Sequence, residues 1–148
     1  MSSTITTHSK VSLTGRALTH AKSVVGENYK LSTPLEFQKH RSADDILIQQ
    51  IAAVMDWDHT RVDSVFFSCP NGADPHVDKL NLAEYSDITA IIPVILPKGK
   101  STLHVGGDSV ELEVGRVYSF NHQTLHSLSV ENEGEGCVVI MSTELKDG

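Results

Sequence analysis

Three residues of this chain combine the types and the spacing of a metal site: His76, Asp78 and His126. In an extended segment, residues two positions apart project to the same face, so His76 and Asp78 can address one ion while Val77 turns away. Two imidazoles and one carboxylate form the ligand set that binds non-haem iron(II) and leaves coordination positions open. Such a site requires that the fold bring His126 from a distant strand.

Each of these residues also has a purely structural interpretation. His76 and Asp78 follow a turn-forming sequence, in which a histidine is a loop residue and an aspartate caps the turn. His126 can equally be a strand-edge histidine whose ring bonds a backbone carbonyl. His122 competes with it as a ligand, although His122 falls in an expected loop and His126 directly precedes a strand. His104 lies on a candidate strand and is either a fourth group of the site or a polar residue on a solvated face, and we prefer the second interpretation.

The length and the composition indicate one soluble globular unit. We expect residues 1–148 to form a single domain, with an N-terminal segment over 1–60 and a β-rich core over 61–143. The hydrophobic fraction is 39% and the charged fraction is 21%, as in soluble proteins. No apolar run reaches the roughly 20 residues that span a bilayer, and the first residues do not have the pattern of a secretory signal. These features predict a cytoplasmic protein without a membrane anchor, in which Cys69 and Cys137 stay free thiols.

The net charge of −7 bears on the partners of the protein. Non-specific affinity for nucleic acid comes from clustered Lys and Arg, and here the few basic residues are scattered, so nucleic acid is disfavoured without being excluded. The substrate is then a small molecule or a protein, and its identity stays open. We expect residues 1 to about 30 to form either a first strand with a short helix or an arm that packs on a second subunit. A homodimer is therefore an open alternative.

One amphipathic helix is predicted over residues 43–55. Ser42 is a suitable N-cap, and Asp44 and Asp45 suit the positive end of the helix dipole. The apolar residues at positions 47, 51, 54 and 55 keep helical spacing. We expect this helix to pack against the outside of a sheet.

From residue 61 onward the sequence changes to short β-branched and aromatic runs that are broken by turn residues, which is typical of an all-β domain. The run Ile91–Leu96 is almost entirely apolar, so both of its faces should be covered, and Pro93 indicates an edge or a bulge. The candidate strands are Arg61–Ser68, a short strand around His76, Ile88–Leu96, Ser101–Val105, Val110–Leu112, Arg116–Phe120, Ser127–Val130 and Cys137–Thr143.

Strands at this spacing fit either a β-sandwich or a jelly-roll barrel. The ligand positions favour the jelly roll. In that fold, strands that are far apart in sequence lie side by side at one open end, where a His-x-Asp pair and a later histidine can converge.

Several motifs follow one another in a recognisable order. His-x-Asp is followed by a long apolar strand, by a Gly-Gly turn before an alternating strand, and by a Gly-Arg-Val-Tyr-Ser-Phe run that leads to a histidine. The segments are Pro75–Asp78, Ile88–Leu96, Gly106–Gly107, Val114–Asn121 and His126–Val130. Over about residues 60–143, this order resembles the double-stranded β-helix of the iron(II) and 2-oxoglutarate dependent oxygenases.

The resemblance implies a mainly β fold, a double-stranded β-helix (jelly roll) with an N-terminal helical segment packed outside. It implies that His76, Asp78 and His126 are iron(II) ligands. It further implies an oxygenase that uses 2-oxoglutarate and O2 to hydroxylate a substrate, while the protein supplies coordination geometry, substrate placement and a dry pocket.

The sequence departs from this family at the anchor for the far carboxylate of 2-oxoglutarate. The family usually places an Arg or Lys roughly ten residues after the distal histidine, where this chain has the uncharged stretch Gly136–Val139 after Glu135. Hydrogen bonds from a cation to a carboxylate contribute about 1.5–3 kcal/mol each, so the missing cation is a substantial loss. Lys100 and Arg61 are the candidates to replace it, and Tyr85 is a candidate hydrogen-bond donor to the co-substrate.

Two other functions fit the same residues. A cupin-like metalloenzyme without 2-oxoglutarate agrees with the missing cation, although Asp78 stands where cupins usually have a second histidine. A non-catalytic β-sandwich that serves as an interaction module would use the three residues only as polar surface.

Overall fold

Two antiparallel sheets make up most of the described chain. The computed structural model describes residues 4–14, 46–77 and 84–146. Within these ranges it contains one α-helix, α1 (Ile46–Met55), and a 3₁₀ turn at His59–Arg61. The strands are β1 (Thr6–Lys10), β2 (Val62–Ser68), β3 (Ala73–His76), β4 (Tyr85–Ile95), β5 (Ser101–Val105), β6 (Asp108–Glu111), β7 (Arg116–Asn121), β8 (His126–Val130) and β9 (Val138–Leu145).

The strand order identifies the fold. The five-stranded sheet has the order β1-β7-β4-β9-β2, and the four-stranded sheet has the order β3-β8-β5-β6. The first strand of the core, β2, pairs with the last, β9. The second strand, β3, pairs with the next to last, β8. This pairing is that of a double-stranded β-helix, so the predicted fold is confirmed.

All of the predicted strands are present, with ends that shift by at most three residues. The bulge predicted at Pro93 is confirmed, because the register between β4 and β9 shifts between Pro93 and Ile95. The first strand predicted for the N-terminal region is β1, which adds to the sheet edge at β7. The single domain and the homodimer stay predictions.

Helix α1 packs outside the barrel, as predicted. Its buried residues Leu47, Ile48 and Ile51 belong to one apolar cluster with Ile92 of β4 and Ile140 of β9. Helix residues are buried here because their 3.6-residue spacing forms one apolar stripe that faces the sheet. The predicted start at 43–45, with its cap and acidic residues, lies outside the described residues.

The opposite face of the five-stranded sheet points to the four-stranded sheet. Side chains alternate along each strand, so Ile92 and Ile140 face the helix while Ile91 and Met141 face inward. A second apolar cluster lies between the sheets and includes Leu103, Tyr118 and Phe120. The interior of the barrel is therefore separate from the core under the helix.

The described residues contain no helix with the length and apolar character that crossing a bilayer requires.

Candidate metal centre

Two of the three predicted ligands lie side by side. β3 pairs with β8 so that His76 is directly opposite His126. The centroids of the two imidazole rings are 4.4 Å apart, and the ring planes are inclined by 59°. The structure thus brings together two residues that are 50 positions apart in the sequence. Asp78 lies outside the described residues, so its role as a ligand stays a prediction.

A glycine turn sets β3 against β8. The backbone N–H of Gly72 donates to the carbonyl of Cys69 at 3.0 Å, and Gly72 has a φ of 75°. A Cβ atom at Gly72 would lie 2.2 Å from the carbonyl oxygen of Leu128 in β8. Only glycine combines this left-handed backbone with such a close approach. Gly72 therefore lets the chain turn directly into the strand that carries His76.

Both histidines are oriented by the same kind of hydrogen bond. Nδ1 of His76 donates to the carbonyl oxygen of Asp74 at 2.6 Å, and Nδ1 of His126 donates to that of Thr124 at 2.8 Å. A carbonyl only accepts, so each Nδ1 carries a proton, and in the neutral ring Nε2 then carries the lone pair. This backbone support is what metal-binding histidines commonly have, and it fixes both the tautomer and the ring orientation.

The pair suits a shared metal ion in its spacing and its chemistry. Metal–nitrogen bonds of about 2.1 Å place the centroids of two imidazoles on one ion on the order of 4.5 Å apart. The observed 4.4 Å is close to this value. Within the described ranges there is no group of three or more His, Cys, Asp or Glu residues that could hold a metal ion. The described part of the chain therefore brings together two of the three predicted ligands, and their role as ligands stays a prediction.

The two rings differ in their surroundings. His126 is only 6% exposed and lies against Phe120, with ring centroids 4.8 Å apart, whereas His76 is exposed. One ring is thus held by packing and the other borders solvent. A molecule could approach this pair from the side of His76.

A cavity of about 130 Å³ begins at the two histidines and extends between the sheets. Apart from the histidines and Ser127, its lining is apolar or carries a thiol. These lining residues are Phe67, Cys69, Ala73, Ile91, Leu103, Leu112, Leu128, Val139 and Met141. No Lys or Arg is among the described residues that line it. The cavity is not predictable from the sequence, although the inward positions of β2, β4 and β9 follow from alternation.

The three candidates for co-substrate binding lie away from this cavity. Nε of Arg61 donates to the carbonyl of Leu145 at 3.1 Å, and Arg61 borders a different cleft. The hydroxyl of Tyr85 donates to Oδ2 of buried Asp63 at 2.7 Å. Lys100 is exposed. Their role as anchors stays a prediction, and the described geometry does not bring them to the histidines.

The competing histidines lie at other places. His122 is fully buried, and its Nε2 donates to the carbonyl of Ser86 at 2.8 Å. His104 lies on the exposed face of the four-stranded sheet, with its ring nitrogens 2.8 Å and 2.9 Å from the hydroxyls of Ser109 and Ser129. Neither borders the cavity, so of these histidines only His76 and His126 share it.

Comparisons with known proteins find similar solved structures but no match to a family model or a curated sequence. A cupin-2 domain containing protein from Shewanella frigidimarina is 11% identical with a TM-score of 0.41, over 57% of this chain and 71% of that one. An RmlC-like cupin from Desulfovibrio desulfuricans is 14% identical with a TM-score of 0.39, over 57% and 72%. The Escherichia coli ribosomal oxygenase YcfD is 17% identical with a TM-score of 0.37, over 59% of this chain and 23% of that one.

Proposed function

We propose that this protein is a non-haem iron(II) dependent oxygenase that hydroxylates a substrate with O2 and 2-oxoglutarate. The observation that supports this proposal is the pair His76 and His126, which meet across two strands at the mouth of an internal cavity. Asp78 is the proposed third ligand, two positions after His76. Two imidazoles and a carboxylate on one side of the ion would leave positions open for small molecules. When bound, iron(II) would supply the activation of O2.

The residues of the chain have defined tasks in this proposal. The carbonyls of Asp74 and Thr124 hold the Nδ1 protons, so that Nε2 of each histidine keeps its lone pair for the metal. Phe120 packs against the ring of His126 and limits its movement. The lining of the cavity next to the site is mostly apolar, so it offers water few hydrogen-bond partners.

Metal titration tests the proposal. Iron(II) added under anaerobic conditions together with 2-oxoglutarate should give a visible charge-transfer band in the wild type. His76→Ala and His126→Ala should remove the band, and Asp78→Ala should weaken or remove it. His104→Ala is the matched control, because this histidine lies on the exposed sheet face and bonds only serine hydroxyls among its described contacts.

Two results would contradict the metal site. The first is a wild-type protein that binds no iron(II), and the second is a His104→Ala variant that loses as much affinity as His126→Ala. Either result would favour the non-catalytic interaction module.

A second candidate is a cupin-like metalloenzyme that needs no 2-oxo acid. It is favoured by the lack of Lys or Arg among the described residues that line the cavity. Arg116, a further cation of the core, donates to Glu113 Oε2 and to the carbonyl of His8, both at 2.9 Å. Formation of succinate in step with O2 uptake would decide for 2-oxoglutarate, and O2 uptake on a substrate without succinate would decide for the second candidate.

A further inference from the structure

We propose that the cavity between the sheets binds an uncharged, hydrocarbon-rich group of about the size of one aromatic ring and holds it beside His76 and His126. The further step, that this group is part of the substrate, rests on the proposed oxygenase function. The binding of the group depends on the cavity alone and does not rest on that function.

The lining selects against charge. Side chains from both sheets meet there, such as Phe67 and Met141 from one and Leu103 from the other, and no described lining residue carries a fixed charge. A carboxylate or ammonium group moved into such surroundings loses its hydration without gaining a counter-charge. Cys69 at the wall is a neutral thiol at neutral pH, because burial raises its pKa to about 11. A dicarboxylate such as 2-oxoglutarate is therefore excluded from the cavity and would have to bind at its mouth.

The size of the cavity fits one ring. An engineered cavity of roughly 150 Å³ in another protein, lined by Leu, Ile and Phe, stays dry and binds benzene. The cavity here has about 130 Å³ and a lining of the same kind. A bicyclic or longer group would need the surrounding side chains to move. The cavity thus admits a ring or a short branched alkyl group.

Exposed hydrophobic side chains also neighbour the two histidines in sequence. Four large hydrophobic side chains are exposed within the described ranges, and two of them adjoin the histidines in sequence. These are Val77, which is 44% exposed, and Leu125, which is 56% exposed. Leu112 and Val139, which also line the cavity, are buried. The cavity therefore connects the exposed ring of His76 with a buried apolar wall.

Methyl NMR of the metal-free protein tests this directly. Benzene should cause saturable shifts of the methyl groups of Ile91 and Met141, which line the cavity. The methyl groups of Ile48 and Ile140 report on the helix-covered core and should not shift. Benzoate, of similar shape but charged, and 2-oxoglutarate should cause no saturable shift of the cavity methyls at the same concentration.

A pair of identical substitutions serves as the mutational test. Ala73→Leu adds three carbons at the cavity wall and should reduce the affinity for benzene at least tenfold. Ala53→Leu makes the same change on the exposed side of the helix and should leave the affinity unchanged. Leu128→Phe is a second way to fill the cavity if Ala73→Leu does not fold.

The proposal is overturned if benzene shifts no cavity methyl in the wild type, if benzoate binds as well as benzene, or if a folded filled variant binds like the wild type. Its failure is distinct from failure of the oxygenase function. Iron binding without benzene binding contradicts only the cavity proposal, and benzene binding without iron binding contradicts only the oxygenase.

Discussion

The two faces of the five-stranded sheet carry side chains of similar type in very different surroundings. Ile140 faces helix α1 and is fully buried, whereas its neighbour Met141 faces the cavity and is half-buried. On the neighbouring strand β4, Ile92 is fully buried against the helix, whereas Ile91 is half-buried and faces the cavity. One face is closed by a helix that fills it, and the other leaves space beside two imidazoles. The comparison separates the part of the sheet that stabilises the fold from the part that can hold a ligand.

The difference has a physical cause in the covering layer. Residues Leu47, Ile48 and Ile51 form a continuous apolar stripe, so they can fill the spaces between strand side chains at close to crystal density. The inner face is covered by a sheet instead, at a layer distance of about 10 Å. The small side chain of Ala73 on that sheet does not fill this distance, so a cavity remains.

The largest effect expected from this comparison is on stability. Ile140→Ala should lower the free energy of unfolding by about 3 kcal/mol, because it opens a cavity in a fully packed core. Met141→Ala should cost about 1 kcal/mol, since its side chain already borders empty space. Urea unfolding of the two variants, with unchanged m-values, measures both. Equal losses would show that the inner face is as closely packed as the outer one.

The reactivity of the two thiols, of which Cys69 lines the cavity, gives the next largest effect. Burial raises the pKa of Cys69 from 9.0 to about 11, so alkylation of the native protein at pH 8 should be roughly a hundredfold slower than that of a free cysteine. Cys137, whose pKa is raised to about 12 by burial and by the nearby Cys69, should react more slowly still. Mass spectrometry with iodoacetamide follows both sites, and urea-unfolded protein is the control.

The same thiols predict a loss of stability in alkaline solution. A folded pKa above the unfolded value means that the stabilising contribution is complete below about pH 9 and is lost as the pH rises toward 11. A variant with Cys69→Ser and Cys137→Ser should lose less stability over this range. If both proteins lose the same amount, the thiols are not the cause.

The fold and the histidine pair could be predicted from the sequence because the signals are local. Alternation, turn residues and the order of motifs identify β2 to β9, and strand order then brings His126 to His76. The cavity could not be predicted in this way, since a void depends on the summed volumes of side chains from distant strands. The direction of Arg61 was equally out of reach, because it depends on a carbonyl 84 residues away, at Leu145.

A smaller effect is expected at the end of the helix that covers the outer face. Asp56 has a φ of 56°, and the N–H of Trp57 donates to the carbonyl of Ala52 at 2.8 Å, as in a Schellman motif. Asp56→Gly should stabilise the protein by about 0.5–1 kcal/mol, because glycine adopts this left-handed conformation without steric cost. Ala53→Gly, within the helix, should destabilise it by about 1 kcal/mol and serves as the opposite control. Thermal unfolding of both variants measures the effect, and a loss of stability in Asp56→Gly would contradict it.

The smallest effect concerns a histidine on the outer face. Burial lowers the pKa of His8, whose Nε2 lies 2.7 Å from the hydroxyl of Ser119, and Arg116 donates to its carbonyl. A lowered folded pKa means that the contribution to stability is complete above about pH 6.5 and is lost as the pH falls below it. The protection factors of the β1 amides, which correct for the slower intrinsic exchange in acid, should therefore fall between pH 7 and pH 5 more in the wild type than in His8→Gln. An equal fall in both proteins would assign the acid sensitivity of this edge to groups other than His8.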